Sequence, residues 1–249
     1  MSGPVLQLAG VGRSFGGLQV CHGIDLALEE GGLHALIGPN GAGKTTLLDI
    51  ITGLLAADSG RIFFRGRDIS RLPVHRRARL GMARSFQVSS LLPSFTVREH
   101  LALAVLAGQG SGYRFWRPVA SDPALQEPAG ELMARVGLME RAGVRVEALA
   151  HGERRLLEIA MALATGPELL LLDEPMAGLG PASARELAGM IRRLKASLTI
   201  LLVEHDMKAV FALADRITVL VRGEVMATGR PEEIRNHGKV QEAYLGSPC

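Results

Sequence analysis

A glycine-rich run at residues 38–45, GPNGAGKT, constrains the fold of this chain more than any other feature. It fits the pattern GxxxxGK(S/T), follows the apolar run LHALI and precedes KTTLLDIITGLL, which favours a helix. Small residues let backbone N–H groups surround phosphate oxygens, and a helix that starts at the loop directs its positive end toward them. A glycine-rich turn without a ligand is the alternative, but the strand before and the helix after favour a nucleotide-phosphate site.

This pattern also predicts which residues contact the nucleotide. Lys44 would bridge the β- and γ-phosphates, and the hydroxyl of Thr45 would bind Mg²⁺. The full candidate set at this phosphate loop is Gly38, Pro39, Asn40, Gly41, Ala42, Gly43, Lys44, Thr45 and Thr46.

Two carboxylates follow a second apolar run. The leucines at 169–172 are typical of a buried parallel strand, and Asp173 and Glu174 come directly after them. A carboxylate at the end of such a strand can hold Mg²⁺ through water, and the next residue can polarise an attacking water. A solvated acidic pair or a helix cap is the alternative. Together with the phosphate loop, the pair predicts a metal-binding Asp173 and a catalytic Glu174.

Apolar runs alternate with helical stretches along most of the chain, which predicts an α/β protein with a mainly parallel sheet. Near the N-terminus, VLQLAG, LQVCHGIDLAL and GRIFFRG are typical of antiparallel strands joined by glycine-rich turns. Only helical spacing is found between about 88 and 165. We therefore expect a single domain over 1–249, in which 1–87 and 166–249 form the α/β core with its antiparallel region and 88–165 form an inserted helical subdomain.

Charge and cysteine content exclude several classes of protein. The 28 Lys and Arg side chains against 25 Asp and Glu give a net charge of only +3, so bulk electrostatics predict no nucleic-acid partner. Cys21 and Cys249 have no metal-ligand spacing and predict no zinc site, iron–sulfur cluster or disulfide framework. No apolar run approaches the roughly 20 residues that cross a bilayer, and the N-terminus does not have the pattern of a signal peptide.

The order of these motifs resembles that of the ATP-binding cassette (ABC) ATPases over nearly the whole chain. Five further segments match the pattern of that family in its order. The resemblance implies that Phe15 stacks on adenine, that Gln87 touches Mg²⁺ or the water, and that His205 reaches the γ-phosphate. It also implies that the signature of a second copy, here Ala150, His151, Gly152 and Glu153, completes each site, and it places the D-loop at 176–181. Taken singly, Phe15 could be a core aromatic, Gln87 a surface amide, and Gly152 and His205 ordinary helix starts.

The signature and the D-loop both depart from the family pattern. Ala150 stands where the signature has a serine, and Glu153 where it has a glutamine, so the hydroxyl donor to the γ-phosphate is missing. Backbone N–H groups from Gly152 onward could still bind the anion, because they lie at the start of a predicted helix. Gly180 replaces the usual D-loop aspartate, which removes one polar link between two nucleotide sites.

Within the family, several segments resemble the ATPases of importers for branched-chain and other hydrophobic amino acids, among them SFGG, ARSFQ, VEHDM and QEAYLG. This resemblance implies an ATPase that couples hydrolysis to transport, with ATP and Mg²⁺ as cofactors. The implied partners are two membrane permease subunits, a second ABC ATPase that is a paralogue or an identical copy, and, indirectly, a periplasmic or extracellular substrate-binding protein. The implied location is peripheral, at the cytoplasmic face of the inner membrane.

Three other functions stay open from the sequence. Importers of urea or short amides have closely related ATPases, and a soluble cassette that serves the assembly of other proteins has a similar length. A kinase or GTPase with a phosphate loop is less well supported, because the chain has no NKxD element.

Two further clusters have no assigned role. We expect Arg71, Arg76, Arg77 and Arg79 to form a solvated helix face, with anionic lipid or an acidic partner as the alternative. The aromatic group Tyr113, Phe115 and Trp116 would pack under a loop or form a contact site.

Overall fold

A six-stranded sheet forms the centre of the part of the chain that the structure describes. The structure is a computed structural model and describes residues 3–85, 91–109, 119 and 122–242. Five strands of this core sheet are parallel, and the strand at one edge is antiparallel to its neighbour. Numbered in chain order and given in spatial order, they are β10 (Glu224–Gly229), β9 (Arg216–Val221), β3 (Leu33–Ile37), β8 (Thr199–Val203), β7 (Leu169–Asp173) and β6 (Met82–Arg84).

The strands β3, β7 and β8 are buried along their whole length because both faces of the core sheet are covered. Successive side chains point to opposite faces, so each strand supplies two apolar layers. In β7, Leu170 and Leu172 belong to one apolar cluster, whereas Leu169 and Leu171 belong to the other. An unbroken apolar run is therefore what this position in the fold requires.

An antiparallel sheet from the N-terminal part of the chain covers one face of the core. Its strands follow the spatial order β2 (Leu18–Leu28), β1 (Leu6–Phe15), β4 (Ser59–Phe64) and β5 (Arg67–Asp68). Apolar side chains of this sheet, such as Leu8 and Ile24, share one cluster with Leu47 and Ile51 of the helix after the phosphate loop. That helix therefore packs between the antiparallel sheet and the core sheet.

Helices form most of the other regular secondary structure among the described residues. The α-helices among the described residues are α1 (Lys44–Thr52), α2 (Val74–Arg79), α3 (Val97–Gly108), α4 (Pro123–Val136), α5 (His151–Leu163), α6 (Pro181–Leu194), α7 (Met207–Leu213), α8 (Pro231–Arg235) and α9 (Gly238–Val240). Helices α3, α4 and α5 bury apolar faces against one another, with Leu101, Met133 and Leu157 fully buried. In the described ranges, no helix has both the length and the apolar character needed to span a bilayer.

The predicted fold class is confirmed: the core sheet is mainly parallel, an antiparallel β region precedes it in the chain, and helices occupy most of 97–163. Three details differ from the sequence-based prediction. Helix α1 ends at Thr52 instead of continuing to residue 55, because Gly53 terminates it with φ +82°. Strand β1 continues to Phe15, five residues beyond the predicted end. The short strand β6 and the hairpin of β9 and β10 were not predicted.

The expectation of a solvated arginine face is wrong for Arg77. Its side chain is buried, and Nη1 donates to the carbonyl oxygens of Ile50 and Ile51, each at 2.7 Å. Nε donates to the Leu72 carbonyl at 2.8 Å. Because the last carbonyls of a helix have no partner within it, Arg77 caps the C-terminal end of α1. The neighbouring arginines of the cluster, Arg71, Arg76 and Arg79, are exposed as predicted. The aromatic group at 113–116 lies outside the described residues.

Candidate functional site

The phosphate loop connects the end of β3 with the start of α1. Lys44 is the first residue of α1, and its Nζ donates to the carbonyl oxygens of Gly38 at 2.8 Å and Pro39 at 3.0 Å. Burial lowers the pKa of the Lys44 ammonium, and the negative charges of Glu174 and Asp173 oppose that shift. The lysine therefore lies inside the loop, in the field of both predicted carboxylates.

Two glycines of the phosphate loop lie against backbone from other strands. A Cβ atom at Gly38 would lie 2.1 Å from the Leu220 carbonyl oxygen of β9. At Gly43, φ is +99°, and a Cβ atom would lie 2.7 Å from the Val20 carbonyl oxygen of β2. These contacts require glycine at both positions and place the loop between the core sheet and the antiparallel sheet.

Asp173 is the last residue of β7, two strands away from β3 in the sheet, and is almost fully buried. Arg84, at the end of the adjacent strand β6, donates through Nη2 to Asp173 Oδ2 at 2.8 Å, and its Nη1 contacts Asp49 of α1. Burial raises the pKa of the Asp173 carboxyl, whereas the hydrogen bond and charge of Arg84 lower it. Arg84 thus favours the ionised form of a carboxylate that is largely removed from water.

Glu174 is held by its backbone and exposes its side chain. Its N–H donates to the Val203 carbonyl at 2.9 Å, and its φ of +43° is unusual for a residue other than glycine. The carboxylate is 41% exposed, and Oε2 lies 3.8 Å from Nδ1 of His205, which follows the neighbouring strand β8. The structure therefore brings Glu174 and His205 together at the ends of two adjacent strands.

The buried carboxylate of Glu204 stabilises the backbone next to Glu174 and His205. Glu204 accepts hydrogen bonds from the N–H groups of Met176 at 2.8 Å and His205 at 3.1 Å. Burial raises the pKa of the Glu204 carboxyl, and these two hydrogen bonds oppose the shift. Glu204 joins the segment after Glu174 to the start of the His205 segment.

Phe15 ends β1 and pairs with Leu18 across a two-residue turn. Its side chain is an exposed large hydrophobic group, at 46% exposure, so the alternative of a core aromatic is wrong. The guanidinium of Arg13 lies 4.9 Å from the ring centroid. Strand β2, which pairs with β1 at Phe15, also lies against the phosphate loop at Gly43.

The signature segment lies at the start of α5, away from the phosphate loop of its own chain. Glu153 accepts from the Ala150 N–H at 2.9 Å and pairs with Arg141 at 2.7 Å, while Ala150 and His151 are exposed. Among the described residues, no hydrogen bond or ion pair joins residues 150–153 to residues 38–46. Gln87, the remaining predicted site residue, lies outside the described residues.

The oxygen donors at this site suit a hard cation that is bound by the protein and by a ligand together. In the described ranges, no group of three His, Cys, Asp or Glu side chains could hold a metal alone. Mg²⁺ does not require such a group, because it binds through one or two protein oxygens together with substrate phosphates and water. The exposed Thr45 at the first turn of α1 and the carboxylate of Asp173 are oxygen donors of that kind.

Sequence reasoning did not find three residues that support the site, namely Arg84, Arg155 and Glu204. The last is next to the predicted His205, and an acidic residue that ends an apolar run could have drawn attention to it. For the two arginines the sequence carries no signal, because their partners are distant in the chain. Arg84 pairs with Asp173, 89 residues away, and Arg155 donates to the carbonyl oxygen of Glu174, 19 residues away.

Comparison with known proteins agrees with this geometry. The family model described as ABC transporter matches residues 21–177, and a second, described as branched-chain amino acid ATP-binding cassette transporter, matches residues 224–248. The chain is 41% identical to the high-affinity branched-chain amino acid transport ATP-binding protein LivG of Salmonella typhimurium, over 99% of both chains. It is 40% identical to the corresponding protein BraF of Pseudomonas aeruginosa, also over 99% of both.

A solved structure has the same fold over the same length. The crystal structure of the ADP conformation of an ATP-binding cassette of an ABC transporter has a TM-score of 0.87 and 30% identity, covering 98% of this chain and 99% of that one. The matches extend from the antiparallel region to the C-terminal segment. The chain therefore belongs to the ABC transporter family and is an ATP-binding cassette ATPase.

Proposed function

We propose that this chain is the ATP-hydrolysing subunit of an importer for branched-chain or other hydrophobic amino acids. One observation supports the chemistry most directly: the phosphate loop, the carboxylates of Asp173 and Glu174, and the imidazole of His205 lie at the same end of three adjacent parallel strands. Ligands of open α/β sheets bind at that end. The relatives that match the whole chain are named as branched-chain amino acid transport ATP-binding proteins.

The phosphate loop would hold the triphosphate. Lys44 exchanges its bonds to the Gly38 and Pro39 carbonyls for phosphate oxygens, and the backbone N–H groups of the loop bind the remaining oxygens. Thr45 and Asp173 would hold Mg²⁺, which would neutralise charge on the phosphates. Gln87 remains a proposed contact of the same metal.

Glu174 would act as the general base, because its carboxylate is exposed beside a rigid strand end. His205, whose Nδ1 lies 3.8 Å from Glu174 Oε2, would contact a terminal phosphate group. The exposed ring of Phe15 would stack on adenine at the side of the loop.

The segment 150–153 would contact the nucleotide of a second ABC ATPase, because Ala150 and His151 are exposed at the start of α5. We propose the single domain 1–249, with 1–87 and 166–249 as core and 88–165 as helical subdomain. Two membrane permease subunits would contact this cassette, which would lie peripherally at the cytoplasmic face of the inner membrane. A substrate-binding protein would take part only indirectly.

Binding and turnover of the full chain test the site. In calorimetric titrations with Mg²⁺, Lys44→Ala should weaken ATP binding about 10- to 100-fold, because a buried cation that binds phosphate is lost. Glu174→Gln should keep ATP binding and lower turnover by about 10² to 10⁴. Lys208→Ala and Glu186→Gln change exposed residues of the same types and serve as controls. Unchanged binding and turnover in both site variants would contradict the proposed residues.

Transport is tested with the membrane partners. Expressed together with its genomic neighbours, the chain should copurify with two permease chains, and vesicles that contain the assembly should take up radiolabelled leucine only with ATP. Glu174→Gln should abolish uptake while leaving the assembly intact. ATP hydrolysis by an assembly that takes up no branched-chain or hydrophobic amino acid would contradict the proposed cargo and leave the ATPase assignment in place.

A further inference from the structure

Arg155 connects the helix that carries the signature segment with the backbone of the proposed base. It lies in the second turn of α5, and its side chain is only 17% exposed. Nη2 donates to the carbonyl oxygen of Glu174 and Nε to that of Pro175, both at 3.1 Å. Nη1 donates to Glu158 Oε2 at 2.9 Å, one turn along the same helix. The planar guanidinium is therefore oriented from its own helix while it holds two consecutive peptides of another segment.

Hydrogen bonds to the core also hold the segment 174–176. The N–H of Glu174 donates to Val203 of β8, and the N–H of Met176 donates to the buried Glu204. Glu174 itself has φ +43°, a left-handed conformation that is strained for a residue with a side chain. A conformation of this kind persists only where contacts on both sides fix it.

We propose that Arg155 is a positioning residue, which couples the position of helix α5 to the orientation of the Glu174 carboxylate. The inference rests on the proposed function, in which Glu174 is the general base. Arg155 donates to the backbone carbonyl of Glu174, so it acts on the reaction through the position of that residue. Movement of α5 relative to the core would pull on the Glu174 peptide and turn its side chain.

This role predicts a separation between binding and turnover. The hydrogen bonds that carry this role go to the backbone of Glu174 and Pro175 and to Glu158, so loss of Arg155 should leave ATP binding within about 2-fold. A displacement near 1 Å of a catalytic group costs up to about 100-fold in rate, so kcat should fall about 10- to 100-fold. Arg155→Lys keeps a charge beside Glu158 but cannot reach both carbonyls in the same plane, and kcat should stay low in that variant.

A double-mutant cycle on the full chain tests the inference. We compare Arg155→Met in the natural sequence and in the Glu174→Gln background, by single-turnover hydrolysis and by calorimetric ATP binding. If Arg155 acts through Glu174, the second substitution should lower the rate less than about 2-fold further in the Glu174→Gln background. The matched control is Arg154→Met, since Arg154 is the next arginine on α5 but donates to Glu147 instead.

Each outcome decides the question. Loss of ATP affinity together with rate, or rate losses that multiply across the cycle, would show a general structural role and overturn the inference. A normal kcat in Arg155→Met would also overturn it. If Arg155→Met does not fold, as judged by its thermal unfolding, Arg155→Lys is placed in the same cycle with the same criteria. If Glu174→Gln alone leaves the rate unchanged, the proposed base is wrong, a result that is distinct from failure of the Arg155 inference.

Discussion

Arg84 Nη2 lies 2.8 Å from Asp173 Oδ2, and both side chains are largely withdrawn from solvent. The same guanidinium contacts Asp49, so it joins the helix after the phosphate loop to the strand that carries the predicted metal ligand. Arg84→Met leaves two carboxylates without this cation, and breaking such a buried pair costs about 3 to 5 kcal/mol. We expect urea unfolding to show a loss of about 3 kcal/mol in the free energy of unfolding.

A second substitution separates the ion pair from side-chain packing. In an Asp173→Asn background the buried charge at position 173 is already absent, so Arg84→Met should cost about 1 kcal/mol. An equal cost in both backgrounds would show that packing of the arginine, and not its pairing with Asp173, stabilises this region.

Gly38→Ala tests the close approach of the phosphate loop to β9. The added Cβ would lie 2.1 Å from the Leu220 carbonyl oxygen, and a backbone atom of a hydrogen-bonded strand cannot move away easily. We expect a loss of about 2 kcal/mol in the free energy of unfolding and weaker ATP binding. Asn40→Ala, at an exposed position of the same loop, should change the free energy of unfolding by less than about 0.5 kcal/mol. Equal stability of the two variants would contradict the observed contact.

Arg77→Met removes the cap of α1 and leaves buried carbonyls without a donor. Hydrogen bonds to a charged group contribute about 1.5 to 3 kcal/mol, and several are lost at once. We therefore expect the free energy of unfolding to fall by about 3 kcal/mol in chemical denaturation. Arg79→Met is the control, because Arg79 lies two residues away on the same helix and is exposed, so the change there should stay below about 0.5 kcal/mol. Similar losses in both would mean that Arg77 is solvated after all.

His34 makes the stability of the core dependent on pH. Burial, with a contribution from the charge of Arg216, lowers the pKa of the His34 imidazole from 6.5 to about 4. Between these values the unfolded chain binds a proton that the folded chain does not, so the free energy of unfolding falls as the pH falls. The loss in the free energy of unfolding that His34 causes is absent above about pH 7. It grows by about 1.4 kcal/mol for each pH unit below that, to about 3 kcal/mol near pH 4.

The difference between the natural protein and His34→Gln isolates this contribution. Glutamine can keep a hydrogen bond to Thr218, which His34 contacts at 2.7 Å, but it does not titrate. His100, whose pKa burial also lowers, is present in both proteins and cancels in the difference. The variant should lose less stability than the natural protein between pH 6.5 and pH 4. Parallel pH profiles of the two proteins would contradict the buried, neutral imidazole.

The sequence predicted those parts of the fold whose structure follows from the residue pattern of a single segment. The runs at 33–37, 169–173 and 199–203 are buried at every residue and mostly apolar because both sheet faces are covered, and that pattern needs no knowledge of partners. The phosphate loop was predicted for the same reason, since its function depends on a local backbone shape. Strand β6 has only three residues and includes a polar arginine, so its pairing with β7 decides its structure.

Residues that act through distant partners could not be predicted in this way. Arg77 and Arg79 are indistinguishable in the sequence, yet one is buried against α1 and the other is exposed, because the rotation of α2 against its neighbours decides between them. The same holds for Arg84 and Arg155, whose hydrogen-bond partners become neighbours only when strands and helices are packed. Long-range pairing, and not residue type, assigns these arginines their roles.

The N–H of Glu174 donates to Val203, so the ladder between β7 and β8 continues one residue beyond Asp173. A deuteron can replace that amide hydrogen only when the interior of the sheet opens, which occurs far less often than fraying at exposed loops. Deuterium uptake at this one position, followed while nucleotide is consumed, therefore reports whether the centre of the molecule stays closed through each cycle.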